Sequence, residues 1–224
     1  MIQRTTGMVL ATLLLPMLGL SAQAKPATKT TTKKPPAAVA PVGIPMRFRV
    51  GATGNEARYR VRELLAASTV ENDAVGLTAA LTGALLIDAS GKVDTTVSKW
   101  SVDLTTLTSD RGMRDRYVQG RTLETAKFPT ATLVVTEIKG LPVVLPDSAT
   151  LTLTLLGQFT VHGVTRSTSW DVSAMVAGDH ISGTATTHLK FGEYNMALPS
   201  VPVLANLVDD IKIEYDFHLI RERE

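Results

Sequence analysis

Cysteine is absent from all 224 residues, and histidine occurs only four times. The first absence removes disulfide frameworks, thiolate nucleophiles, zinc knuckles, iron–sulfur clusters and acylated N-terminal cysteines. Aromatic residues make up only 5% of the chain, too few for the stacking platforms on which single-stranded nucleic acids lie. There is no Gly-rich phosphate loop, nucleophile elbow, HExxH pair or EF-hand sequence. The chain also lacks an apolar run of the roughly 20 residues that a membrane-spanning helix needs. Its longest, Met8 to Leu20, has 13 residues and is interrupted by Pro16.

That short run is placed for export. Arg4 supplies a positive start, Met8 to Leu20 the apolar core, and Ala22-Gln23-Ala24 a small-x-small cleavage site, so residues 1–24 read as a cleaved signal peptide. The expected destination is periplasmic or secreted. Residues 25–45 hold five prolines and four lysines without apolar periodicity, the composition of a disordered, solvated linker. The remaining domain, 46–224, carries 18 basic against 21 acidic residues. A domain near −3 lacks the field that neutralises phosphates, and nucleic acid is excluded as a partner.

From Met46 onward, apolar and polar residues alternate with period two, the mark of strands with one buried and one wet face. Tyr59 and Val61 face away from Arg58, Arg60 and Arg62. Leu77, Ala79, Leu81, Leu85 and Ile87 share one parity. Leu151, Leu153, Leu155, Phe159 and Val161 oppose a row of threonines, and Trp170, Val172, Ala174 and Val176 oppose Ser169, Asp171 and Ser173. Ile181, Ala185, Leu189 and Phe191 follow, then Ile211, Ile213, Tyr215, Phe217 and Leu219. Ser90-Gly91, His162-Gly163 and Gly178-Asp179 mark turns. About eight long strands joined by short turns exceed one open sheet with a dry face, so an all-β, extended antiparallel barrel is the economical solution. Trp100 joins the same inner wall.

Two segments interrupt the pattern. Ser109 to Gln119 reads as a short helix, with Ser109 as cap, Asp110–Arg114 and Arg111–Asp115 at i,i+4, and Met113, Tyr117 and Val118 as a small apolar stripe. Gly192 to Val208 carries Pro199 and Pro202 among Met196, Leu198, Val201, Val203, Leu204 and Leu207. Such an apolar loop is either a lid or plug, or a connection packed on the barrel.

The segments MRDRYVQ, KFPTATL, FTVHGVTRSTSWDVSA and ISGTATTHLKFGEYNM, in this order and spacing, resemble the YceI-like family of secreted, lipocalin-like proteins. The most specific part is Val161-His162-Gly163-Val164-Thr165-Arg166 followed by Trp170-Asp171-Val172. The resemblance implies an exported barrel that holds a polyisoprenoid chain, such as a polyprenyl lipid or an isoprenoid quinone, in its apolar interior. No cofactor beyond that ligand is expected, and the lack of metal-ligand spacing and of catalytic motifs leads to the expectation of no metal and no catalysis. A membrane surface or membrane protein is compatible with the sequence as a second partner. The inward parity then becomes the cavity wall: Tyr59, Val61, Leu81, Leu85, Trp100, Leu153, Leu155, Phe159, Trp170, Val172, Leu189, Phe191, Ile213, Tyr215 and Phe217. The chain departs from the family where Gly54-Asn55 and Glu63 stand in place of a His-Ser pair and a later histidine.

Three polar residues are candidates for a head group or barrel mouth. Glu63 shares the parity of Tyr59 and Val61. It either points inward, where a lone carboxylate must be paired or protonated, or ends its strand in water, which is the expectation. His162 fits a turn, and Arg166 a surface pair with Asp171 or another acid. His180 and His188 lack metal-ligand spacing, and His218 falls on a wet face. The alternatives are an enzyme acting on a bound lipid through Glu63, His162 or Arg166, a protein-interaction module, and an outer-membrane barrel. The last is opposed by the missing aromatic girdles and the charged end Arg221-Glu222-Arg223-Glu224. A dimer is compatible with the sequence.

Overall fold

The computed structural model describes residues 43–222. The expected signal peptide and almost all of the expected linker lie outside the described residues. The strands are β1 (Met46–Val50), β2 (Glu56–Leu65), β3 (Asn72–Thr78), β4 (Leu81–Ile87), β5 (Lys99–Asp103) and β6 (Thr108–Ser109). After the helix α1 (Gly112–Tyr117) come β7 (Thr130–Lys139), β8 (Ser148–Val161), β9 (Val164–Ala177), β10 (His180–Leu189) and β11 (Leu204–Glu222). All pairings are antiparallel, in the order β1-β4-β5-β7-β8-β9-β10-β11, and β11 returns to β1. Eight strands therefore close a barrel, and closure leaves no free edge on that ring.

The remaining strands extend the barrel. β2 continues β1 along the same neighbour, β11, whose residues Leu219 to Glu222 pair with β1 and Leu204 to Asp216 with β2. β3 pairs with β2, and β6 pairs with β3. So β1/β2, β4/β3 and β5/β6 behave as three interrupted long strands. Each interruption has a local cause. Gly51 and Asn55 bridge the first: the Gly51 N–H donates to the His218 carbonyl at 2.8 Å, and Asn55 Oδ1 accepts from His218 N and Tyr215 Oη at 2.9 and 2.8 Å. A 3₁₀ turn, Leu104–Thr106, makes the third, held by Asp103 accepting from Thr105 N.

The second interruption corrects a reading of the sequence. The Leu81 N–H donates to the Ala79 carbonyl at 3.0 Å, a three-residue turn that exchanges the two faces. Ala74 and Thr78 are buried before it and Leu85 and Ile87 after it, while Leu77 is exposed. Leu77 thus faces outward although it shares the parity of Leu81. The alternation is cleanest in β9, where Trp170, Val172, Ala174 and Val176 are buried between exposed neighbours, and it breaks again at bulges between Val135 and Glu137 in β7 and between Leu204 and Ile211 in β11.

The helix is also shorter and differently capped than expected. It starts at Gly112, not Ser109, its N-cap Arg111 offers no side-chain cap, and a wide π turn, Val118–Thr122, follows it. Ser109 is held extended by pairing with Gly76, and its N–H donates to Asp115 Oδ1 at 2.8 Å. Arg111 pairs with Asp110 rather than Asp115, and Asp110 also meets Arg114. Met113, at the start of the expected apolar stripe, is exposed, while Tyr117 and Val118 are half-buried. The expected loop 192–208 is irregular only to Val203, because β11 begins at Leu204 with bulges that carry it past Leu207.

Candidate functional site

The barrel encloses a cavity of about 720 Å³, within the range of ordinary small-molecule sites. Tyr59 and Val61 from β2, Leu81 and Leu85 from β4, and Trp100 from β5 line it. So do Leu153, Leu155 and Phe159 from β8, Trp170 and Val172 from β9, and Leu189 at the end of β10. Phe191 and, on β11, Ile213, Tyr215 and Phe217 complete that wall. One end is shut by Phe48, Ile87, Leu141 and Leu145, of which Ile87 is wholly buried. At the other end, Arg111, Gly112, Met113 and Val203 are both part of the lining and exposed, and they mark the mouth.

A set of glycines explains how large rings can line this wall without filling it. Gly83 pairs directly with Trp100, Gly76 with Tyr59, and Gly183 with Phe217. A Cβ at Gly83 would stand 2.5 Å from Trp100 Cδ1, one at Gly76 2.3 Å from Tyr59 Cε1, and one at Gly183 2.8 Å from Phe217 Cζ. Each ring therefore lies across a position where any side chain would push it inward, as when an aromatic covers a strand glycine.

Glu63 points inward and is 4% exposed, which corrects the expectation of a strand end in water. Its partner comes from α1: Arg114 Nη2 donates to Glu63 Oε1 at 2.7 Å, and Asn72 Nδ2 donates to the same oxygen at 3.3 Å. Arg114 is itself only 12% exposed. Burial alone would lower its pKa, but the Glu63 and Asp110 carboxylates outweigh that and hold it above the ordinary value. This pair bolts α1 to β2 beside the mouth. Burial pushes the nearby Tyr59 phenol up to about 12, with Arg114 opposing.

His162 and Arg166 do not meet Glu63. His162 and Gly163 have φ of 50° and 74°, the left-handed pair of a two-residue hairpin turn. The ring is fixed by the Glu124 carboxylate at 2.9 Å and the Tyr194 carbonyl at 3.1 Å, while Phe128 packs on it edge-on. Arg166 Nε donates to the Glu193 carbonyl at 3.1 Å rather than pairing with Asp171. Neither residue lines the cavity. Among the described residues, no three histidine or acidic side chains are grouped to hold a metal. His180 Nδ1 lies 2.9 Å from His218 Nε2, and the rings stack. His218 Nδ1 lies 3.0 Å from the Thr53 carbonyl.

Several lining residues lack any signal of period two. Arg114, Tyr117, Val118 and Thr122 come from α1 and the turn after it, and Met196, Pro199, Val201 and Val203 come from the loop before β11. Tyr117 and Val118 show in the sequence only as a short helical stripe and the loop residues only as apolar content in irregular sequence, while Arg114 and Thr122 carry no sign of facing the cavity. Thr122 Oγ1 is buried without a hydrogen-bond partner among the described residues.

A closed antiparallel barrel with a long apolar cavity, open at one end, defines the class: an extended, lipocalin-like barrel. Within that class, the model of the YceI-like domain matches residues 48–219, and the chain belongs to this family. Among solved structures it is similar to a polyisoprenoid-binding domain from Saccharophagus degradans implicated in plant cell wall breakdown. That match has a TM-score of 0.61 at 12% identity, covering 78% of this chain and 98% of the other. It is also similar to BcnA of Burkholderia cenocepacia, with a TM-score of 0.54 at 14% identity, covering 73% and 95%. The YCEI protein of Campylobacter jejuni gives 0.54 at 14%, covering 72% and 91%. No curated protein matches the chain.

Proposed function

We propose that this protein is exported and carries or stores an isoprenoid lipid in the barrel cavity, by burial and without catalysis. The observation that carries the reading is the cavity itself: about 720 Å³, walled almost wholly by aliphatic and aromatic side chains, and open at one end. Each buried methylene contributes about 0.8 kcal/mol, so a long branched hydrocarbon gains far more here than any short polar ligand. β8 and β9, at 14 residues each, run about 46 Å at 3.3 Å per residue, a length suited to an extended chain. The ligand named for the Saccharophagus degradans domain supports the isoprenoid class. A quinone and a polyprenyl lipid both fit, with Tyr59 and the Thr122 hydroxyl, which has no partner among the described residues, as polar contacts for a head group.

The separation of Glu63 from His162 and Arg166 favours binding over an enzyme built on these three residues. The direct test uses the chain's two tryptophans, Trp100 and Trp170, which both line the cavity. Titration with a short-chain prenyl quinone should quench their emission saturably at one ligand per chain. Linear, unsaturable quenching would refute an interior site.

A further inference from the structure

We propose that the mouth end of the barrel docks on an anionic lipid bilayer, so that cargo passes between membrane and cavity without crossing water. The inference rests on the carrier reading above. It starts from a rim of exposed apolar side chains gathered at one end. Met113, 75% exposed, and Val203 belong to the cavity lining itself, Leu198 adjoins the lining residue Pro199, and Val70 stands in the β2–β3 turn. That turn is tied to the same rim because the Ala66 N–H donates to the Val203 carbonyl at 2.9 Å. An apolar surface continuous with a lipid cavity is a place where a hydrocarbon chain can slide in without meeting solvent.

Two unengaged cations point to the partner. The acids of this end are engaged within the protein: Glu63 and Asp110 with Arg114, Asp115 with Ser109, Glu71 and Asp73 with Arg62, and Asp210 with His188. Asp209 and Glu193 accept from the Phe191 and Lys190 amides. Arg116, one turn from Met113 on α1, and Arg121, in the π turn that follows, are by contrast exposed and make no ion pair or hydrogen bond among the described residues. Two uncommitted guanidinium groups on the same short segment as an exposed methionine match the surface of an anionic leaflet, with the methionine entering the acyl boundary.

The test is vesicle flotation of protein purified without detergent from cells expressing the full chain. Vesicles are phosphatidylcholine alone or mixed with phosphatidylglycerol, and bound isoprenoid is assayed by solvent extraction of the same samples. Binding should require phosphatidylglycerol. The double change Arg116→Gln with Arg121→Gln should weaken it about 25-fold, at about fivefold per arginine near a charged surface. Met113→Glu should weaken it about tenfold or more, the loss of one inserted apolar side chain. Met175→Glu, exposed on the outer face of β9, should leave it unchanged and serves as control; the N-terminal segment is common to all variants. Equal flotation of all variants by a protein that holds its cargo overturns the docking face and leaves the carrier reading standing. Failure to float, with self-association lost in Met113→Glu, assigns the face to a second copy and also overturns it. Absence of any cargo overturns the carrier reading itself.

Discussion

Arg114→Met isolates the buried pair that fastens α1 to the barrel. Glu63 would keep only the 3.3 Å contact from Asn72 while remaining 4% exposed. Removing one partner of a buried ion pair costs about 3–5 kcal/mol, because the other charge stays desolvated. Arg114 is 12% exposed and sits by the mouth, where water can reach the gap, so the low end, about 3 kcal/mol, is expected. The Asp110 contact adds little, since that carboxylate is 68% exposed and exposed pairs are worth about 0–1 kcal/mol. Replacing both partners, Glu63→Leu with Arg114→Met, should recover stability to within about 1 kcal/mol of the native protein, since apolar replacements of buried pairs are close to neutral. Equilibrium urea unfolding of the native protein, both single variants and the double variant closes the cycle. In thermal unfolding, the single change should lower Tm by about 6–12 °C in a domain of this size. An Arg114→Met cost below about 1 kcal/mol, or a double variant as damaged as the single one, would refute the buried pair.

Other parts of the structure are open to equally direct checks. Val172→Lys places an unpaired ammonium in the apolar wall and should cost several kcal/mol, whereas Ser173→Lys, exposed on the next residue of β9, should stay within about 0.5 kcal/mol; similar urea midpoints would mean the faces are exchanged. Gly83→Ala puts a methyl group 2.5 Å from Trp100 Cδ1, so the indole must tip into the lumen, with about 1–3 kcal/mol lost and a changed tryptophan emission; an unchanged spectrum and midpoint would contradict the packing. Burial pushes the Tyr59 and Tyr194 phenols up to about 12. Because these folded values lie above the ordinary value near 10, their contribution to stability is complete below about pH 10 and is lost as pH rises toward 12. The tyrosinate absorbance of these two rings should therefore appear late and together with alkaline unfolding, and their ionisation near pH 10 in the folded protein would contradict the burial.

The wall of the cavity was legible because a barrel interior obeys the same period of two along every uninterrupted strand. Leu151 to Val161, Trp170 to Val176 and Ile211 to Leu219 needed no knowledge of their neighbours. The reading failed where the backbone leaves that period without a visible marker. The turn at Ala79 lies in a run of leucines and alanines, so nothing there signalled that Leu77 and Leu81 face opposite ways. Glu63 was misplaced because its partner, Arg114, lies 51 residues further along, a pairing that local pattern cannot show. Ser109 looked like a helix cap, yet its pairing with Gly76 competes for the same backbone and prevails. Asn55, which joins the two halves of the first long strand to Tyr215 and His218, is likewise explained only by contacts more than 150 residues away.

An isoprenoid chain held in the cavity should travel with the protein. Native mass spectrometry of the protein, purified from its own host without detergent, followed by solvent extraction and identification of what is released, tests it most directly. The expected result is one polyprenyl or isoprenoid-quinone molecule per chain, lost on solvent extraction. A monodisperse protein of bare polypeptide mass, or one holding a ligand without an isoprenoid chain, would contradict it.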